Sequence, residues 1–331
     1  MKLSEQKCEA LIPIKGNSPF FADTLNSLDT SVRNGLSVCI VYSEVLESTL
    51  NLAKQILGHG NLRFIDANGM TLAQKLSFGV STSASEYILR LDADDLILEG
   101  RIDKQIAFLE SNPEFALVAS RMNYIDSDGQ FVGVSEAYSC EPEQLLKIGC
   151  LIGHPSVMMR RSQILEAGNY QEFSVVAGTS IAEDYYLWVR VLAKDKICIQ
   201  DEPLTEYRIH PNQISQKFEL QRQAASLLIR GRLILARTQS TVPNVELAWE
   251  SPLLTQLFFE LNGKANPEAN LWCLDYAHFV IRSQIIESAL VQISKYMVLR
   301  NLLFFSKSLV TFVKLNRHRS SFVENILSVG I

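Results

Sequence analysis

The chain has 331 residues, 47% hydrophobic and 20% charged, with a formal net charge of −5 at pH 7. That places it among ordinary globular chains able to bury a sizeable core, as one large domain with an addition or as two domains. The acidic balance carries no electrostatic footprint for nucleic acid, and no nucleic acid is expected as a partner.

Residues 8–14 read as a first strand ending at Pro13, with Gly16 and Asn17 as turn residues and a helical pattern from Pro19 to about Val32. Residues 37–42 form a second apolar run, followed by a helical stretch over 44–57 that Gly58 and Gly60 close. Residues 62–65 read as a third strand, 70–83 as a third helix and 86–91 as a fourth strand. Strands alternating with helices predict parallel βαβ units. Residues 97–110 read as an amphipathic helix with Ile102, Ile106 and Leu109 on its buried face and Arg101, Lys104 and Gln105 away from it. Phe115–Ala119 is a further strand, and Asp126-Ser127-Asp128-Gly129 between 122–125 and 131–134 signals a hairpin. From 141 the elements are mixed: a short helix, the stretch 154–161, a Gly/Ser/Thr-rich loop over 168–180 and a helix over 183–194. Beyond a soft boundary at 212–220 the pattern is mainly helical. Six cysteines (Cys8, Cys39, Cys140, Cys150, Cys198 and Cys273) show no metal-ligand spacing and read as reduced thiols. No apolar start resembles a signal peptide and no uncharged run reaches spanning length, so the expected compartment is the cytoplasm or its membrane face.

Three stretches carry candidate chemistry. Arg90-Leu91-Asp92-Ala93-Asp94-Asp95 puts three carboxylates at the carboxyl end of the fourth strand, where open α/β sheets bind ligands. Clustered carboxylates repel, and a hard divalent ion would satisfy them; a solvated turn capping the next helix is the plainer reading. Glu183-Asp184 opens a helix, with Asp184 near the middle of its buried arc and Glu183 toward the margin. They read either as a first-turn cap or as a general base aimed into a cleft. Arg208 and His210 alternate on an extended segment and share a face. There His210 is a candidate metal ligand and Arg208 a candidate donor to a diphosphate, against the commoner structural use of a lone histidine.

Together these stretches resemble the family 2 glycosyltransferases. The residues that carry the resemblance are Leu11-Ile12-Pro13, 90–95, Arg101-Ile102-Asp103-Lys104-Gln105, 154–161, Gly168-Asn169-Tyr170, 183–190 and Tyr207-Arg208-Ile209-His210, in the family's order over residues 8–215. The resemblance implies an α/β fold of GT-A type, a Rossmann-like open mixed sheet flanked by helices. It implies a domain over 1–215, followed by a helical C-terminal extension over 216–331. It further implies an inverting transfer of sugar from a nucleotide-diphosphate sugar to a saccharide or lipid-linked saccharide acceptor, with Mn²⁺ or Mg²⁺ as cofactor. Asp94, Asp92 and His210 would hold the metal, and Pro13, Glu44, Arg90, Asp92, Asp95 and Arg208 would bind the donor. Asp184 would be the base, with Glu183 the second choice, and His154 would border the acceptor.

Two departures fall on the donor half. The family's aspartates after the second strand are replaced by Val41-Tyr42-Ser43-Glu44, and its Arg-Asn or Leu-Asn in the third helix by Ala73-Gln74-Lys75-Leu76-Ser77. They keep a second reading open, a non-catalytic nucleotide- or glycan-binding subunit of a polysaccharide synthase. Residues 291–331 hold six Lys and Arg against one acid, and 295–319 are amphipathic with Arg300, Lys307 and Lys314 on one stripe. That stretch reads either as a peripheral membrane contact or as a helix packed on the catalytic domain.

Overall fold

The computed structural model describes residues 7–137, 150–173, 182–192 and 194–211, with 213, 225, 226 and 229. The chain divides into two compact units, Met1–Ser174 with Gly178–Lys217, and Val175–Ala177 with Phe218–Ile331. Expectations for a short helix after 141, for loop 174–180 and for the basic stretch 295–319 lie outside the described residues.

The first half follows the expected alternation: β1 (Cys8–Lys15), α1 (Phe21–Arg33), β2 (Ser37–Ser43), α2 (Glu47–Leu57), β3 (Leu62–Asp66), α3 (Leu72–Thr82) and β4 (Tyr87–Arg90). β1 is buried along its length up to Lys15, as a strand covered on both faces must be. Its alternate residues feed two cores. Ala10, Ile12 and Ile14 pack with Phe21, Leu25 and Leu28 of α1, whereas Leu11 packs with Leu76 and Val80 of α3. Gly79 permits that second contact, since a Cβ there would stand 2.4 Å from Leu11 Cδ1. Thr71 caps α3 through a reciprocal capping box with Gln74.

The second half is β5 (Leu96–Ile97), α4 (Arg101–Ser111), β6 (Phe115–Ile125), β7 (Phe131–Val134), a 3-10 turn at His154–Ser156, β8 (Met158–Arg160), α5 (Arg161–Glu166), α6 (Glu183–Leu192) and β9 (Lys196–Arg208). The strands form one mixed sheet in the order β3-β2-β1-β4-β8-β6-β9-β5, with β7 paired to β6. β1 to β4 are mutually parallel, and β8 is antiparallel to both β4 and β6. Strand order reverses at β1, between β2 and β4, which opens a crevice at their carboxyl ends.

Several elements differ from expectation. The helix expected from 97 starts at 101, because Leu96–Ile97 pairs with β9 and Gly100 takes a left-handed φ of 77° at the N-cap. β6 runs unbroken through 125 where the sequence shows two pieces; polar Ser120 and Arg121 hide it, and the β6–β9 register shifts there. Arg101 and Gln105, expected away from the buried face, are fully buried. Arg101 Nη2 donates to the carbonyls of Arg90 (3.1 Å) and Val157 (3.3 Å), and Gln105 Nε2 to that of Ser156 (2.8 Å). A hydrophobic-face rule cannot find polar side chains buried to satisfy strand-end carbonyls. The hairpin forms as expected: the Asp126 carboxylate accepts from the amides of Asp128 and Gln130 (both 2.9 Å), and Gly129 supplies φ 81°. Among the described residues no helix is long and apolar enough to cross a membrane.

Candidate active site

The carboxylates follow β4 at the crevice and alternate in exposure. Asp92 and Asp94 are half-buried, while Leu91, Ala93 and Asp95 are buried. Asp92 Oδ1 accepts from Arg90 Nη2 at 2.6 Å. Asp94 Oδ2 lies 2.8 Å from His210 Nε2, and the His210 ring leans on Phe20 with centroids 5.0 Å apart. Burial, then the charge of Asp92, pushes the Asp94 carboxyl up, opposed by His210 and Arg90. A bound cation would reverse that balance.

Among the described residues no three His, Cys, Asp or Glu side chains converge as an all-protein metal cage. Asp94 and His210 do meet, with the second oxygen of Asp92 on the same loop. One or two carboxylates with remaining positions for phosphate and water is how a hard divalent ion is held beside a diphosphate.

Asp95 and Arg208, expected to touch the donor, turn inward. Asp95 is fully buried and its Oδ1 accepts from the backbone N–H of Arg208 at 2.8 Å. Burial, then Asp92 and Asp94, raises its carboxyl well above the usual range. Arg208 is 3% exposed. It donates to the carbonyls of Asp94 (3.1 Å), Ser127 (3.3 Å) and Asp126 (3.4 Å) and to Asp23 Oδ2 (3.1 Å), with its guanidinium 4.6 Å from the Phe20 ring. These contacts engage Nε, Nη1 and Nη2 of its guanidinium. Both residues lock the end of β9 to the carboxylate loop and so deliver His210 to Asp94. Asp23, exposed on α1, gave no sign of this in the sequence.

Arg90 is likewise buried and faces Asp92, with Nε and Nη1 unpartnered among the described residues. Pro13 is buried within β1 opposite Val41 and offers no free side-chain surface. Glu44 follows β2 with a left-handed φ of 56°, its carboxylate 3.3 Å from Lys15 Nζ and its N–H donating to Asn68 Oδ1 at 2.9 Å. It remains exposed at the crevice.

The second acidic pair sits at the start of α6, directly after Ala182, whose φ of 62° is strained for a residue with a Cβ. Glu183, expected at the margin, is 5% exposed. Burial first, then Asp184, pushes its carboxyl up to about 8, against the pull of Arg90. Asp184 is half-buried and its Oδ1 accepts from Tyr185 N–H at 2.7 Å. The charges of Arg90 and Asp92 reach Glu183, so the start of α6 lies near the carboxylate loop.

His154 is 9% exposed. Its Nε2 pairs with Tyr170 Oη at 2.7 Å and its ring lies edge-on to Trp188, centroids 5.7 Å apart. Burial, then Arg90, holds its pKa well below the ordinary value. The sequence also missed Lys75. Its buried amine donates to Ser43 Oγ, which joins the two departures at the end of β2 and in α3.

Residues 10–168 match Glycosyl transferase family 2. An uncharacterized glycosyltransferase of Haemophilus influenzae is 24% identical over 189 residues, 55% of this chain and 67% of that protein. The amylovoran biosynthesis glycosyltransferase AmsE of Erwinia amylovora is 27% identical over 123 residues, 37% of this chain and 44% of that one. In fold the chain is similar to the mannosyltransferase PcManGT of Pyrobaculum calidifontis, solved with GDP-Man and Mn²⁺, with a TM-score of 0.52 at 13% identity over 95% of this chain and 83% of that one.

Proposed function

We propose that this chain, whose residues 10–168 match Glycosyl transferase family 2, moves a sugar from a nucleotide-diphosphate sugar to a hydroxyl acceptor, with inversion at the anomeric carbon. The observation that carries this reading is the Asp94–His210 pair at the carboxyl end of β4, near the helix start that bears Asp184. Asp94, His210 and Asp92 would hold a divalent ion, Mn²⁺ or Mg²⁺, which supplies charge stabilisation for the leaving diphosphate. Asp184, the more accessible of its pair, takes the acceptor hydroxyl's proton. The acceptor oxygen then bonds to the anomeric carbon as the bond from that carbon to the diphosphate oxygen breaks, and the nucleoside diphosphate departs. Arg208 and Asp95 hold the loop in register, and Arg90 supports Asp92 from below. Glu183, with its raised pKa, is the poorer base at neutral pH.

The amylovoran relative supports an acceptor in cell-surface polysaccharide or lipid-linked oligosaccharide synthesis. On this reading residues 1–215 catalyse at the cytoplasmic side and 216–331 associate with a membrane or partner. The test is release of nucleoside diphosphate from a panel of nucleotide sugars with and without Mn²⁺. Metal-dependent release that vanishes in Asp94→Asn is expected, and release indifferent to both would overturn the reading. The altered end of β2 favours one alternative, a chain that binds nucleotide diphosphate without turnover. Tight binding with no release on any donor and acceptor pair would select it.

A further inference from the structure

Exposed apolar side chains are concentrated at one place beside the site. Of the seven large hydrophobic residues exposed among the described residues, four lie on β7 and just past β9, the two strands that flank the end of β6: Phe131 (65%), Val132 (55%), Val134 (40%) and Ile209 (37%). The β6–β7 hairpin is built into the rim of the crevice. One guanidinium, that of Arg208, donates both to the Asp94 carbonyl and to the carbonyls of Asp126 and Ser127 at the turn. Ile209 N–H donates to the Ile125 carbonyl at 2.7 Å, and Phe131 is the β7 partner of Ile125. Phe131 therefore lies two strand spacings, roughly 10 Å, from the backbone that carries His210.

β7 carries one residue more than β6 between its pairings with Tyr124 and Ile125, so Val132 is the extra residue of a bulge. Bulges re-aim side chains beside active sites and blunt a strand edge against pairing with another chain. The apolar side chains are thus presented on an edge that a second copy is poorly placed to extend. Sheet order says which substrate they meet. On the nucleotide-sugar reading above, on which this inference rests, the nucleotide sits at the strand reversal between β2 and β4. β6, β7 and β9 lie beyond β8, on the other side of β4. The hairpin therefore borders the part of the crevice left to the acceptor. Residues 129–135 carry no charge, so this surface suits neither a phosphate nor a charged peptide. A bare saccharide would set its hydroxyls against Phe131 and the valines without partners. We infer that the hairpin binds the apolar part of the acceptor, an alkyl or prenyl chain attached to the sugar that is extended.

The test uses the full chain in Mn²⁺ with matched octyl and methyl glycosides of glucose, galactose, mannose and N-acetylglucosamine, kept below the micelle concentration. Methyl-resolved NMR follows the valine and leucine side chains. Octyl glycosides should shift Val132 and Val134 and methyl glycosides should not, while Leu46, 61% exposed after β2, stays unmoved. Equal shifts at Leu46, or none at the two valines, overturn the inference. In acceptor kinetics, read as nucleoside diphosphate release, at least one octyl glycoside should have a KM about ten-fold below that of its methyl partner. Phe131→Ser combined with Val132→Ser, both at the surface, should erase that difference at unchanged kcat. Equal KM values in the wild type, or a preference that survives the double substitution, overturn the inference too. So does a concentration-dependent dimer of the wild type that the double variant loses, which gives the face to a second copy. Should none of the glycosides accept, the methyl shifts alone decide. Release that is absent with every donor removes the nucleotide-sugar reading, and this inference with it; loss of the valine response with release intact counts against the hairpin alone.

Discussion

Asp94–Asp95 and Glu183–Asp184 are two pairs of adjacent carboxylates, one on a loop and one on a helix, and they divide in the same way. Asp95 and Glu183 are buried, at 0% and 5% exposure, while Asp94 and Asp184 remain half-buried at the crevice. Asp94 lies in a turn at 93–94 that Asp95 leaves, and successive helical residues are turned by about 100°. Neighbours in sequence thus take different environments. One fixes the backbone or the helix tip in place, and the other is left where a ligand can reach it. Burial raises the carboxyls of Asp95 and Glu183, and it raises that of Asp94 as well, where His210 and Arg90 oppose it.

The largest expected effect breaks the helix pair at its outer member. Asp184→Asn should cut transfer about a thousand-fold while donor affinity, measured by titration, holds. Near-wild-type turnover in that variant would hand the base role to Glu183. The next effect falls on what the inner loop carboxylate holds. Arg208→Met strands several buried carbonyls and should cost roughly 3 kcal/mol in denaturant unfolding; a change below about 0.5 kcal/mol would show that the strap is not structural. A third prediction concerns pH. The folded pKa of Glu183 is raised from 4.5 to about 8, so the folded state keeps a proton that the unfolded state has lost. Stability therefore falls as pH rises between about 4.5 and about 8 on this group's account, and levels off above. Glu183→Gln should flatten that slope in melting temperatures taken across the window, and an unchanged slope would assign it to other groups. The smallest effect belongs to Asp23, whose side chain is 58% exposed where it meets Arg208. Asp23→Asn should cost under about 1 kcal/mol, so a large loss there would mean that the arginine depends on this partner rather than on its carbonyls.

The strand–helix alternation, the position of the acidic cluster and the hairpin were all legible in the sequence, because each rests on local periodicity or turn chemistry. What escaped depends on long-range contact. β8 has three residues, Met158–Arg160, and exists only because β4 and β6 lie on either side of it. Arg101, Gln105 and Arg208 look solvent-facing by residue type, yet they are buried against backbone carbonyls from other elements. Lys75 finds Ser43 across 32 residues of sequence. The same limit applies within the site: sequence placed Asp92, Asp94, Asp184 and His210 in suggestive stretches, but which of two neighbouring carboxylates turns inward is decided by packing.

The most direct test of that division is the Mn²⁺-dependent thermal shift produced by the nucleoside diphosphate that binds, compared in Asp94→Asn and Asp95→Asn. The account predicts that Asp94→Asn keeps close to the wild-type melting temperature without ligand and loses the shift. Asp95→Asn should melt lower and keep the shift. The opposite pattern, with the shift surviving in Asp94→Asn and lost in Asp95→Asn, would contradict it.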